Sequence, residues 1–134
     1  MPLAPVAPRA LNEARLKRNP WLALSALLGA VGVILGALGS HLFDVVRTDQ
    51  YDLANRYHLL HVVLLAALSL TVKPTDGILR HVVMAGFALG LVLFCGALYL
   101  SSLGLAEPRL APAGGSILIL SWIALAVYAL LPSR

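Results

Sequence analysis

Charge is scarce in this 134-residue chain: Asp, Glu, Lys and Arg together make up 12% of it, about half the share of an ordinary soluble domain. With 60% hydrophobic residues beside so little charge, the chain is neither disordered nor a water-soluble globule, and its composition matches no fibrous repeat. Cysteine is nearly absent. Cys95 alone excludes an intramolecular disulfide framework and an all-cysteine zinc or iron-sulfur centre. The signatures of soluble enzymes are missing as well: there is no phosphate-binding glycine loop, no H-E-x-x-H, and no strand-turn-helix setting for a nucleophilic serine. No catalytic residue, metal site or cofactor is therefore assigned. The net charge of +4 does not mark a nucleic-acid partner, because in so apolar a chain it is the Lys and Arg excess that orients membrane proteins.

What the sequence has in abundance is long apolar runs, with a mean hydropathy of +0.87. Trp21 to Phe43 holds no charged residue and, at about 1.5 Å per residue, covers the roughly 30 Å hydrocarbon layer. Asn19 and Pro20 before it suit an N-cap and a first helical position, and Trp21 suits the membrane interface. The run is too long for the core of a cleaved signal peptide and reads as an uncleaved signal-anchor. The uncharged run from Tyr57 to Val72 is short, and extending it back to Leu53, with Arg56 snorkelling and Asp52 as its i,i+4 partner, restores a full span. A third run follows Arg80, and a fourth extends from Pro112 to a stop at Pro132.

These runs predict an all-α protein, an integral membrane four-helix bundle with helices over 20–43, 53–72, 81–105 and 112–131. Residues 19–134 form the transmembrane domain and residues 1–18 a basic N-terminal extension, proline-rich at Pro2, Pro5 and Pro8. Its basic residues read as the flank that fixes orientation. Placing the N-terminus inside leaves seven of the ten Lys and Arg in the cytoplasm and Arg47, Arg56 and Arg109 outside, which fits the positive-inside bias. Both termini are then cytoplasmic, in a multi-pass protein of the inner (plasma) membrane.

Helices in lipid associate by close packing between small residues. Ser25, Gly29, Gly32, Gly36 and Gly39 recur at spacings of four, three, four and three, one continuous stripe on the first helix. Gly86 and Gly90 do the same on the third, with Gly114 and Gly115 opening the fourth. The polar residues of interest are His41, Asn55, His58, His61 and Tyr99. His58 and His61 share a helix face, with Asn55 one turn outward. Entering from outside at Leu53, they lie about 8 and 12 Å down the second helix, and Tyr99 reaches a similar depth on the third. Since an imidazole facing lipid is costly, His58, His61 and Tyr99 are expected to form one interior hydrogen-bonded cluster in the outer half, with Asn55 as partner and His41 nearer the mouth.

Four segments carry a resemblance: Gly36-Ala37-Leu38-Gly39-Ser40-His41, Tyr57-His58-Leu59-Leu60-His61, Phe94-Cys95-Gly96-Ala97-Leu98-Tyr99, and Pro112-Ala113-Gly114-Gly115 with Trp122 following. In this order and spacing they resemble the domain-of-unknown-function 423 family, a group of small four-helix membrane proteins. The resemblance covers nearly everything from the first helix to the fourth and implies a fold and a membrane address, the family having no settled activity. Alanine usually stands there in place of Ser40, and serines in place of Cys95 and Ala97, so it implies no indispensable thiol or serine pair.

The favoured function is an accessory or scaffold subunit of a larger membrane protein complex, since connections are short and the small-residue stripes can serve partner helices. Membrane lipids, such a complex or a homo-oligomer are the expected partners. The alternatives are a haem-, metal- or quinone-binding protein using the His58/His61 pair, and a minimal oligomeric transporter.

Overall fold

The computed structural model describes residues 19–42, 48–71 and 77–131, with the backbone alone for 41, 42 and 48. The N-terminal extension expected over residues 1–18 lies outside the described residues. Four helices are present among them: α1 Pro20–Leu42, α2 Thr48–Leu70, α3 Ile78–Ser102 and α4 Ala111–Leu130. Each is long and apolar enough to cross a membrane.

Helix ends follow local chemistry. Asn19 caps α1, its Oδ1 accepting the Leu22 amide at 3.1 Å, with Pro20 next in line where no amide donor is needed. α2 starts five residues earlier than the hydropathy suggested. Hydropathy marks where the lipid begins, whereas a helix continues into polar surroundings, and Asp49 sits in its first turn, where a carboxylate is favoured. His58 and His61 lie roughly 15 and 20 Å along α2 from Thr48, their distance from the start of the apolar run being unchanged. α3 begins at Ile78 and not at His81, and its C-terminal end is fixed by glycine. Gly104 has φ +69°, its amide bonds the Ser101 carbonyl at 3.0 Å, and the Leu105 amide reaches back to the Leu100 carbonyl at 2.9 Å. This is the pattern of a Schellman cap, so residues 103–105 terminate α3 instead of extending it.

Each helix packs antiparallel on its neighbour in sequence. Among the described residues no Cα of α1 comes within 8 Å of α3 or α4, and none of α2 within 8 Å of α4. The expected bundle is thus an open succession, α1 on α2 on α3 on α4, and not a closed ring. α3 is the centre, with half of its span buried, against 11% for α1 and 17% for α4. Phe87, Leu65, Met84 and Leu91 are the largest fully buried apolar side chains.

Glycine sets these contacts. Gly29, Gly32, Gly36 and Gly39 all face α2, against Val62, Leu59 with His58, Asn55 and Tyr51 in turn. Gly86 and Gly90 face Ser121 and Leu118 of α4, and Gly114 lies on the backbone of Phe94. At the end where α1 and α3 begin, polar side chains join the helices. Asn19 Nδ2 donates to the Ser69 carbonyl at 2.9 Å and Trp21 Nε1 to His81 Nδ1 at 2.9 Å. Arg80 donates to the Leu68 carbonyl at 2.8 Å and to the Thr71 hydroxyl, and its guanidinium lies over the Tyr128 ring, 5.7 Å from the centroid. These bonds explain why α3 tolerates Arg80 in its first turn.

Candidate functional site

Tyr51, Asn55 and His58 recur at i, i+4 and i+7 on α2, so they form one stripe, and the glycines of α1 let that stripe approach the backbone opposite. Asn55 Nδ2 donates to the Gly32 carbonyl at 2.8 Å and contacts the Tyr99 hydroxyl at 3.1 Å. The Tyr51 hydroxyl donates to the Leu35 carbonyl at 2.5 Å. A Cβ at Gly36 would stand 3.0 Å from Asn55 Oδ1, and one at Gly39 would strike the Tyr51 ring. The glycines are therefore the condition for these polar contacts.

Tyr99 closes the network from α3. Helical side chains lean toward their own N-terminus, so Tyr99 leans inward from the end of α3 and its hydroxyl reaches His58 Nδ1 at 3.4 Å. Its ring packs edge-on against Tyr51, with centroids 5.0 Å apart. The proton order follows from the donors. Asn55 donates to the Tyr99 oxygen, which leaves the Tyr99 proton for His58 Nδ1, and a neutral His58 then carries its own proton on Nε2. That nitrogen has no partner within hydrogen-bonding geometry, the Leu28 carbonyl being the backbone acceptor close to the ring. His58, Tyr51 and Tyr99 are all buried.

His61 is equally buried but stands apart from Tyr99. Its Nδ1 lies 2.8 Å from the Tyr57 carbonyl, and its ring meets Tyr57, Phe87 and Trp122 at centroid distances of 5.8, 6.1 and 6.3 Å. Three residues advance the helix by about 300°, so His58 and His61 point about 60° apart. His58 turns toward α1, while His61 turns toward α3 and α4.

Of the residues singled out in the sequence, then, the structure joins Asn55, His58 and Tyr99 and separates His61 from them. The His41 side chain lies outside the described residues. Among the described residues no group of three or more His, Cys, Asp or Glu side chains is placed to hold a metal ion. Sequence reasoning missed Tyr51, although its spacing to Asn55 and His58 was a sufficient signal. It also missed Trp122 and Phe87 around His61, whose meeting depends on how α3 and α4 pack and leaves no mark within either helix alone.

The chemistry available here is hydrogen bonding. Asn55 and Tyr51 bind backbone carbonyls of α1, and Tyr99 links two side chains of α2 to α3, so the network holds three helices in register.

Comparison with known proteins also leads to membrane proteins. The chain is 28% identical over 115 residues to a UPF0382 membrane protein of Haemophilus influenzae, covering 81% of this chain and 92% of that one. It is 31% identical over 117 residues to the UPF0382 membrane protein YwdK of Bacillus subtilis, covering 81% and 94%. No solved structure matches it. The family described as protein of unknown function (DUF423) matches residues 35–115, a stretch that takes in Tyr51, Asn55, His58, His61 and Tyr99 but not the Gly32 carbonyl that Asn55 bonds. With that match over more than half its length, the chain belongs to the DUF423 family, as a multi-pass membrane protein with four membrane-length helices among its described residues.

Proposed function

We propose that this protein is an accessory or scaffold subunit of a larger assembly in the inner membrane, with both termini in the cytoplasm. The observation that carries the reading is how little of the two outer helices is buried, each packing on one neighbour only among the described residues. Only 11% of the α1 span and 17% of the α4 span are buried inside the protein. Leu27, Val33 and Ile34 on α1, and Ile119, Leu120 and Leu130 on α4, are exposed apolar side chains. An open succession of helices can add a partner helix at either edge without breaking a contact of its own. Short connections leave little surface outside the membrane for a soluble substrate, and the Asn55, Tyr51 and Tyr99 bonds run between helices, as packing bonds do. The seven-to-three division of Lys and Arg supports the cytoplasmic termini.

The test is extraction of the native membrane in a mild detergent, affinity purification of the tagged chain, and identification of what accompanies it by mass spectrometry and absorption spectroscopy. A larger membrane protein in stoichiometric amount is the expected result. A chain that purifies alone or only as a homo-oligomer would overturn the reading, and so would a visible absorption band in a preparation without partners.

A further inference from the structure

His61 presents a buried ring nitrogen with no protein hydrogen-bond partner, midway along a helix long and apolar enough to cross a membrane. A carbonyl only accepts, so the 2.8 Å contact with Tyr57 places the ring proton on Nδ1 and leaves Nε2 of the neutral imidazole bare. His61 is 3% exposed, and Nε2 is buried without a hydrogen-bond partner. Buried acceptors are paired in the great majority of cases, because leaving one unpaired forfeits its hydration for nothing. The nitrogen is therefore placed to accept a hydrogen bond from a donor outside this chain.

The surroundings define what kind of donor fits. The backbones of α2 and α4 do not approach within 8 Å among the described residues, so the seam between them, floored by α3, is bridged by side chains. Those side chains are rings. Tyr57 lies nearly parallel to His61, at 15°; Trp122 meets both His61 and Phe87 edge-on; and Phe94 packs on Tyr57 at 5.1 Å. The floor is closed, with Phe87 at 0% exposure, while the rims are open, with Tyr57 at 41% and Trp122 at 47%. Trp122 is thus a half-exposed ring standing edge-on to His61.

We infer that this seam is a lateral binding site for a membrane-soluble aromatic ring bearing a free hydroxyl, a phenol or hydroquinone, whose O–H donates to His61 Nε2. The bare nitrogen requires a donor, which excludes carboxylate and phosphate groups. His61 stands about 12 Å by helical rise from Leu53, where the apolar run begins, and about 14 Å from Leu70 at the other end of the helix, so a ligand that reaches it travels within the hydrocarbon and is uncharged. The ring walls favour a flat π-system over an aliphatic alcohol. The site lies about 60° around α2 from the packing network at His58, and it stands whether or not a partner protein covers α1.

The test uses the full chain in lipid nanodiscs, uniformly labelled with 15N and 13C. The His61 ring signals are assigned by through-bond correlation to the backbone, so no variant is needed. The probe is a decyl-substituted benzohydroquinone kept reduced under anaerobic conditions, and the control is its dimethyl ether, which has the same ring and tail but no O–H. The Nε2 resonance should start in the range of a non-bonded ring nitrogen and move saturably with the hydroquinone. The ether should bind about tenfold more weakly, the equivalent of one hydrogen bond, and should leave that resonance in place. A Trp122→Leu variant should keep the hydroquinone-induced shift with altered affinity. The inference fails if Nε2 is already hydrogen-bonded without probe, as a resident water would make it. It fails too if hydroquinone and ether act alike, or if neither moves the signal.

Discussion

Replacing Gly114 with alanine drives a methyl group into the backbone of α3. Its Cβ would overlap the Phe94 amide nitrogen and stand 2.8 Å from Phe94 Cα and 2.9 Å from the Leu93 carbonyl carbon. A side chain in that position could rotate away, but a helix backbone cannot, so α3 and α4 must separate. Separation also loosens Leu118 on Gly90 and Ser121 on Gly86, which lie along the same contact. Overpacking costs about 1 to 3 kcal/mol, and a backbone clash belongs in the upper part of that range. Alanine returns about 1 kcal/mol through helix propensity, which leaves a net loss of about 1–2 kcal/mol. The next residue is the control. A Cβ at Gly115 meets only the Phe94 ring, at 3.6 and 3.7 Å, ordinary contact distances, so Gly115→Ala should be neutral or stabilising by up to about 1 kcal/mol. Two adjacent, chemically identical substitutions should therefore differ by about 2 kcal/mol, up to thirtyfold in the folding equilibrium. Reversible unfolding in mixed micelles, followed by tryptophan fluorescence, measures the difference. Equal midpoints for the two variants would refute the close α3–α4 contact.

Four further outcomes are expected. Gly104→Ala places a side chain at φ +69° and should cost about 1 to 2 kcal/mol in the same unfolding measurement, with no loss if the cap is misassigned. A double-mutant cycle of Asn55→Ala and Tyr99→Phe should give a coupling of about 0.5–1.5 kcal/mol, within the range of hydrogen bonds between membrane helices, and zero coupling would break the network. Cys95 is 2% exposed, so a membrane-permeant maleimide should label the folded protein at least about a hundredfold more slowly than the unfolded one; comparable rates would place the thiol at the surface. A reporter active only in the cytoplasm, fused after Arg134, should be active, and silence from a well-expressed fusion would invert the topology.

Much of the candidate site was legible before any coordinates. The polarity of Asn55 and His58, the lipid's intolerance of such groups and the helical repeat together require an inward-facing stripe on α2, and the glycine stripe of α1 was its natural counterpart. His61 was misread because face-sharing on a helix is approximate. An offset of about 60° is small on a helical projection and decisive once helices stand on both flanks.

The sequence by itself determined that there are four membrane helices, because transfer into hydrocarbon depends on the local sum of side-chain hydropathies and on length, both readable along the chain. It likewise determined that helices would meet through glycine, since only small residues admit backbone approach. Helix ends were less legible. The starts at Thr48 and Ile78 lie in polar sequence outside the apolar runs, and the Gly104 cap depends on hydrogen bonds to particular carbonyls, neither of which a hydropathy average registers. Which helices touch was decided by tertiary structure alone. α1 stays away from α4, and Trp122 meets His61, through interaxial distances and rotations that depend on all four helices at once. For that reason the bare nitrogen of His61 could not be read from the chain: its surroundings are decided only once every neighbouring side chain is in place.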